Sequence, residues 1–277
     1  MSRPVVCLDL DRTTIYSADA LDLRGPDHEA PRLLCVEVYR GVPLSFLTER
    51  AGAALRALQE VATVVPTTTR TPDQLARVHL PGPPAGYAIA SNGGHLLVAG
   101  APDLTWTATV RERLTGCAPL AEVAAQLRAR SGPFVLTLRT ASDLFAYAVV
   151  DRAVLPACWV DELAAWCSPR GWTVSLQGSK LYAVPRSLTK SAAAAEVLAR
   201  CQGGPLLAAG DSLLDADLLT AADAAIRPAH GELADVAFAL DHLAVTGSTG
   251  VAAGEELLEW LRDRTAVVTA RPVSGRL

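Results

Sequence analysis

The sequence predicts an α/β protein: a doubly wound, mostly parallel sheet interrupted by an inserted α+β module. Three observations carry this. Single apolar strands alternate with helical stretches at both ends of the chain. A Pro/Gly-rich segment at 81–86 (PGPPAG) then breaks the pattern, and paired strands around two helices follow it. The alternating style returns after Pro185.

In chain order, residues 4–10 (PVVCLDL) form a buried strand that runs into acidic residues. Residues 16–34 are irregular, punctuated by Gly25, Pro26 and Pro31, and 33–39 read as a second strand. A helix runs through 48–60 with Thr48 as its N-cap. The strand at 62–66 ends in Thr67-Thr68-Thr69-Arg70, and a helix begins near Pro72, which suits a first turn. Beyond the linker, strands at 87–90, 95–98, 134–139, 144–150, 173–176 and 181–184 flank helices at 110–130 and 156–167. Then come a helix at 190–201, a strand at 205–209, a helix at 213–222, a short strand near Ile226 and a helix at 254–264. From Thr265 the chain reads as a loosely held tail. Residues 1–82 and 186–277 are thus expected to form one α/β core, split by a module at 83–185 large enough to fold as a unit.

Composition narrows the function. The chain has 277 residues, half of them apolar and 19% charged, enough for a sizeable core. A net charge of −4 and the absence of any block of like charges argue against nucleic-acid binding, which needs clustered Lys and Arg. The six cysteines show no CxxC pairing, so they read as buried small residues in a reducing compartment. The stretch MSRPVVCLDLDR is too short in apolar residues for a signal peptide, and the long uncharged run at 80–101 is broken by prolines and glycines. A cytoplasmic protein without membrane contact is the expectation. The five histidines show no metal-ligand spacing, and Trp159 and Trp166 read as core.

In open parallel sheets, ligands bind beyond the carboxyl ends of strands. Four segments fall there: Asp9-Leu10-Asp11-Arg12-Thr13, Thr68 in its threonine run, Lys190 opening a helix, and Gly210-Asp211-Ser212-Leu213-Leu214-Asp215. Singly, each is an ordinary loop, cap or surface charge. Jointly, four carboxylates converging on one rim would repel unless a cation sat among them. An all-oxygen ligand set suits Mg²⁺, which favours substrate phosphate. A carboxylate beside such an ion can attack phosphorus, a second can carry the proton, and a Lys and a Thr can neutralise the phosphoryl oxygens.

In this order the motifs DxDxT, Thr, Lys and GDxxxD resemble those of the haloacid dehalogenase (HAD) superfamily, specifically its phosphatases. The inserted module resembles the α+β cap of the Cof-type and sucrose-phosphate-phosphatase-like branch, and Ser91-Asn92-Gly93-Gly94 is similar to the segment that opens it. The resemblance implies Asp9 as nucleophile and metal ligand, and Asp11 as general acid and base whose backbone carbonyl also binds Mg²⁺. It implies Thr68 and Lys190 as phosphoryl ligands, and Asp211 and Asp215 as metal ligands. Thr69, Arg70, Asn92 and Lys180 are expected to meet the substrate, with Arg139 and Gln177 also weighed at strand ends. Two departures stand out. Arg12 occupies a position where many relatives carry Gly, and DSLLD lacks the usual Asn before its last acid. The expected activity is Mg²⁺-dependent hydrolysis of a small phosphomonoester, a sugar phosphate or similar metabolite, through phospho-Asp9. A phosphomutase or phosphotransferase sharing that intermediate and a non-catalytic phospholigand binder are the alternatives.

Overall fold

The computed structural model describes residues 3–270. The chain runs β1 (Val5–Leu8), β2 (Leu33–Tyr39), β3 (Val42–Thr48), α1 (Glu49–Val61), β4 (Thr63–Pro66), α2 (Pro72–Leu75), β5 (Tyr87–Ala90), β6 (His95–Val98) and β7 (Ala101–Pro102). It continues through α3 (Leu104–Arg113), α4 (Leu120–Ala129), β8 (Val135–Ala141), β9 (Phe145–Val150), α5 (Trp159–Cys167), β10 (Trp172–Gln177) and β11 (Lys180–Pro185). The last part is α6 (Lys190–Arg200), β12 (Leu206–Ala209), α7 (Ala216–Ala221), β13 (Ala224–Arg227), α8 (Glu232–Asp235), β14 (Leu243–Val245) and α9 (Gly250–Ala270).

Five parallel strands in the order β14-β13-β12-β1-β4 make the main sheet. Strands β1, β12 and β13 are buried along their whole length, which explains their unbroken apolar runs. Alternate residues feed opposite faces: Val5, Cys7, Val65 and Ala208 join a cluster with Ala193, Val197 and Leu218 of α6 and α7. Val6, Leu8, Val64 and Leu207 instead pack with Leu55 and Leu58 of α1 and Leu257 and Leu261 of α9. The sheet is therefore doubly wound, as expected.

A second, antiparallel sheet has the order β10-β11-β9-β8. Helices α4 and α5 cover one face through Val123, Leu127 and Leu163. The pleat turns Phe145, Tyr147, Lys180 and Tyr182 the other way, and all four line a cavity facing the main sheet's loops. The hairpin β5–β6 is tied to the end of β4: Thr68 N–H donates to the Ile89 carbonyl, Ser91 N–H to Arg70 and Asn92 N–H to Thr68.

The structure differs from the sequence reading at several elements. Strand β3 was not expected. It nevertheless pairs with β2 across a turn in which Arg40 and Gly41 both have positive φ (52° and 78°), the geometry that two-residue hairpins favour. The single helix expected at 110–130 is two, α3 and α4, parted at Gly116 and Pro119, because proline cannot continue an N–H ladder. Helix α7 starts at Ala216 rather than near Leu213. The Asp215 carboxylate accepts from Ser212 N–H and folds 212–215 into a turn. Thr265 does not open a tail. It is buried in α9, which continues to Ala270, and the rest of the expected tail lies outside the described residues. Among the described residues, no helix is long and apolar enough to cross a membrane.

Candidate active site

Asp9 follows β1 directly, and Asp211 and Asp215 follow β12, its parallel neighbour. Strand pairing alone therefore brings three acids from opposite ends of the chain to one rim. Their carboxylates each offer an oxygen within 4.8 Å of the others, and all three side chains are buried. Lys190, the first residue of α6, reaches into the group, its Nζ 2.7 Å from Asp9 Oδ1 and 2.5 Å from Asp215 Oδ1. Helix α6 is anchored so that this reach is reproducible. Thr189 Oγ1 accepts from Ala192 N–H, and Asn92 Nδ2 donates to the Leu188 carbonyl at 2.8 Å. Gly93, at φ 91°, lies against the Thr189 carbonyl, where a Cβ would come within 2.1 Å of the oxygen, so only glycine fits.

The loop after β1 is equally fixed. Thr14 Oγ1 donates to the Asp9 carbonyl, and Tyr16 Oη donates to the Thr13 carbonyl. His230 Nδ1 accepts from Gly250 N–H, which leaves the Nε2 proton for the Arg12 carbonyl at 2.8 Å. Gly231 approaches Asp211 so closely that a Cβ would collide with its carboxylate. Arg12, the departure noted in the sequence, places its Nε 3.4 Å from Asp211 Oδ2.

The charges do not balance. Burial, and then the neighbouring Asp215 charge, push the Asp9 carboxyl up to about 7, even though Lys190 pulls it down. Burial together with Asp9 and Asp215 holds Asp211 well above the carboxylate range. Burial alone would lower Lys190, but Asp215 and Asp9 reverse this and hold it well above its ordinary value. Three carboxylates against one ammonium and a half-exposed guanidinium leave unneutralised negative charge, lined only by hard oxygen donors. That donor set fits a divalent cation. Asp215 is less available: Lys190 takes its Oδ1, and Ser212 N–H and Oγ take its Oδ2.

Asp11 stands apart from this cluster. Its two oxygens accept from Arg70 Nε and a terminal nitrogen, both at 2.8 Å, and its side chain is not among the grouped metal donors. Burial would raise its pKa, but the Arg70 pair outweighs that and holds it at about 2. Arg70 in turn donates to Glu37, a buried carboxylate on β2 that also accepts from Ser45 and Arg77. Thr68 is fully buried, its Oγ1 accepting from Arg70 N–H, which leaves its own proton free. Thr67 spends its hydroxyl on the Val65 carbonyl.

Thr69, Arg70 and Lys180 line a cavity of about 260 Å³ together with Asp11, Glu37 and Tyr147. Asn92 does not. It was expected to meet substrate, but it is buried, and its amide holds the start of α6. Gln177 lines a separate opening beside Arg12 and Asp211, and Arg139 is exposed on β8. Sequence reasoning missed Glu37, Ser45 and Glu232. For Glu37 the only available signal was a carboxylate inside an apolar strand. Glu232 accepts from Ser175 Oγ (2.6 Å), Leu176 N–H (3.0 Å) and Leu213 N–H (2.9 Å), tying β10 to the loop that carries Asp211 and Asp215. Charged hydrogen bonds of this kind are worth about 1.5–3 kcal/mol each. Glu232→Ala is therefore expected to cost about 2 kcal/mol of stability. It should also speed hydrogen exchange at the Leu176 and Leu213 amides; unchanged exchange at both would show that the bridge carries no load.

No family model and no curated protein sequence matches the chain. Solved structures do. A sucrose-phosphatase from Synechocystis sp. PCC6803, in complex with sucrose and phosphate, is similar at TM-score 0.64 and 13% identity, over 94% of this chain and 98% of that one. A HAD subclass IIB sugar phosphatase is similar at TM-score 0.58 and 12% identity, over 95% and 99%. A HAD phosphatase from Bacteroides thetaiotaomicron is similar at 0.53 and 14%, over 96% of each. The chain shares its fold with these structures over 94–96% of its length, so both the main sheet and the inserted module fall within the match. That shared architecture, a parallel sheet with an inserted α+β module, is the one the strand and helix pattern predicts.

Proposed function

We propose that the protein is a Mg²⁺-dependent phosphatase that hydrolyses a small phosphomonoester through a phosphorylated Asp9. The observation that carries this reading is the meeting of Asp9, Asp211, Asp215 and Lys190 at the carboxyl ends of β1 and β12. Its support is that a nucleophilic carboxylate, a buried ammonium and an oxygen-only donor set are what phosphoryl transfer to carboxylate needs, and the matched phosphatases share the fold.

In this reading Asp9 Oδ attacks phosphorus in line, and the bond to the leaving alkoxide oxygen breaks. Lys190 holds Asp9 in orientation and faces the equatorial phosphoryl oxygens, with the Thr68 hydroxyl donating from β4. Mg²⁺, held by Asp9, Asp211 and the Asp11 carbonyl, with Asp215 supporting, would offset the charge of the approaching phosphate. Asp11 delivers the proton to the leaving oxygen and then takes one from the hydrolytic water. Because Arg70 keeps Asp11 ionised, proton delivery requires Asp11 to exchange Arg70 for the leaving-group oxygen. Residues 1–82 and 186–277 serve as the catalytic core and 83–185 as the cap. Within that insert, the β5–β6 hairpin is hydrogen-bonded to the end of β4 and stays with the core, so 81–86 does not hinge the cap; the four-stranded sheet closes over the site about 184–187 and the chain that follows β6. Six free cysteines, none paired, support a reducing compartment such as the cytoplasm.

The test is phosphate release from p-nitrophenyl phosphate. EDTA is expected to abolish it and Mg²⁺ to restore it; release unaffected by chelation would defeat the metal assignment. The raised carboxyls set the pH dependence of that metal. Asp9 and Asp211 bind protons more tightly folded than unfolded, so the metal-free protein loses stability as pH rises from about 4 through 7. A cation that replaces those protons binds better at high pH. Mg²⁺ is therefore expected to raise Tm by several degrees at pH 8 and by little at pH 5; an equal shift at both would contradict it.

A further inference from the structure

The cavity beside Asp11 holds two carboxylates that are already paired and, opposite them, a cation that is not; the hydroxyls of Ser17, Thr69, Tyr147 and Tyr182 line the rest. Both oxygens of Asp11 are taken by Arg70. Those of Glu37 are taken by Arg70, Ser45 and Arg77. Arg70 itself is engaged along its whole guanidinium edge. Lys180, across the cavity on β11, forms no ion pair among the described residues, although it lines the same space. The neighbouring Tyr182, and then Asp11, hold it above its ordinary value, so it is charged at neutral pH. Gln74 spends its side-chain oxygen on Thr71 N–H, which leaves its NH₂ as a donor. Three cations, Arg70, Arg77 and Lys180, thus face two carboxylates, an excess of one positive charge.

A neutral polyol could bond to the lining hydroxyls but would leave the Lys180 ammonium without a counter-charge in a partly enclosed site. A carboxylate or a phosphate supplies one. The cavity volume of about 260 Å³ lies just under the ~300–1,000 Å³ range of sites for drug-sized ligands, so its occupant is compact.

We propose that the leaving group of the substrate carries its own anionic group, a carboxylate or a second phosphate, and that Lys180 binds it in this cavity. The inference rests on the phosphatase reading. It makes the protein selective for small acidic phosphoesters over neutral sugar phosphates, with selectivity read from the four-stranded sheet. Lys180 opens β11 at an exposed turn beside Gly178, so its replacement does not burden the core.

The experiment measures kcat/KM with Mg²⁺ on matched pairs: 3-phosphoglycerate against glycerol 3-phosphate, 6-phosphogluconate against glucose 6-phosphate, and fructose 1,6-bisphosphate against fructose 6-phosphate. The acidic member is expected to be preferred at least about tenfold in one or more pairs, the size of a single charged contact. The first two pairs report a carboxylate and the third a second phosphate. Lys180→Met is expected to collapse that ratio, mainly through KM, and Lys180→Arg to retain part of it. A wild-type enzyme that turns over p-nitrophenyl phosphate yet treats both members of every pair alike overturns the inference and leaves the phosphatase reading standing. A ratio that survives Lys180→Met overturns the role of Lys180. No turnover of any ester, p-nitrophenyl phosphate included, would instead count against the phosphatase reading itself.

Discussion

Replacing Asp9 with asparagine is expected to cut turnover of p-nitrophenyl phosphate by at least about a thousandfold, since removing a covalent nucleophile leaves only binding and charge effects. The amide keeps the shape of the carboxylate but cannot form an acyl phosphate. Stability should move the other way. Asp9 is buried beside Asp215 and Asp211, and the push of its carboxyl to about 7 records that repulsion. In metal-free buffer at pH 8 the variant should therefore melt no lower than the wild type. Trapping separates loss of the nucleophile from general damage. Wild type quenched with phosphate-labelled substrate should carry label that hydroxylamine releases, and the variant none. A variant that kept the wild-type rate would sink the assignment.

Lys190→Met has the largest expected effect on the fold. Lys190 is 1% exposed and is the cation nearest to both Asp9 and Asp215. Removing one partner of a buried charge group typically costs about 3–5 kcal/mol, because the remaining charges stay desolvated and unpaired. For a chain of this size that corresponds to a fall in Tm of roughly 10 °C. The sign with pH follows from the acids. Without the ammonium their pKa values rise further, so the deficit is expected to be large at pH 8 and to shrink towards pH 5, where Asp9 and Asp211 take up protons. Thermal melts in EDTA at the two pH values test this, and an equal loss at both would show that charge is not the cause. Turnover should be lost in either buffer.

Much of the site was legible because its parts are local patterns at strand ends. Asp9 follows an apolar run, Thr68 another and Asp211 a third, and parallel strands bring their carboxyl ends to one rim whatever the loops do. Lys190 was legible as the odd residue out, a cation opening a helix where the dipole disfavours it. The structure explains that oddity, since its ammonium points into three acids. Arg70 and Asn92 were read as substrate contacts because both are polar and sit beside motifs. Arg70 lines the cavity but is already paired with Asp11 and Glu37, and Asn92 is away from the cavity, its amide on the Leu188 carbonyl. Nothing within a few residues of either announces a partner 59, 33 or 96 positions away.

By itself the sequence determined the doubly wound sheet, the inserted module, and the shared rim of Asp9, Lys190, Asp211 and Asp215, since hydrophobic periodicity and strand-end placement are properties of short segments. It wrongly counted the Asp11 carboxylate among them. Only the tertiary structure decided that Asp11 is held by Arg70, that Glu37 and Ser45 reach the cavity from a hairpin, and that Glu232 joins the module to the Asp211 loop. The physical reason is range: backbone pattern is set over a few residues. The partner of a buried charge is chosen by whichever distant segment can supply the opposite charge once water has been excluded.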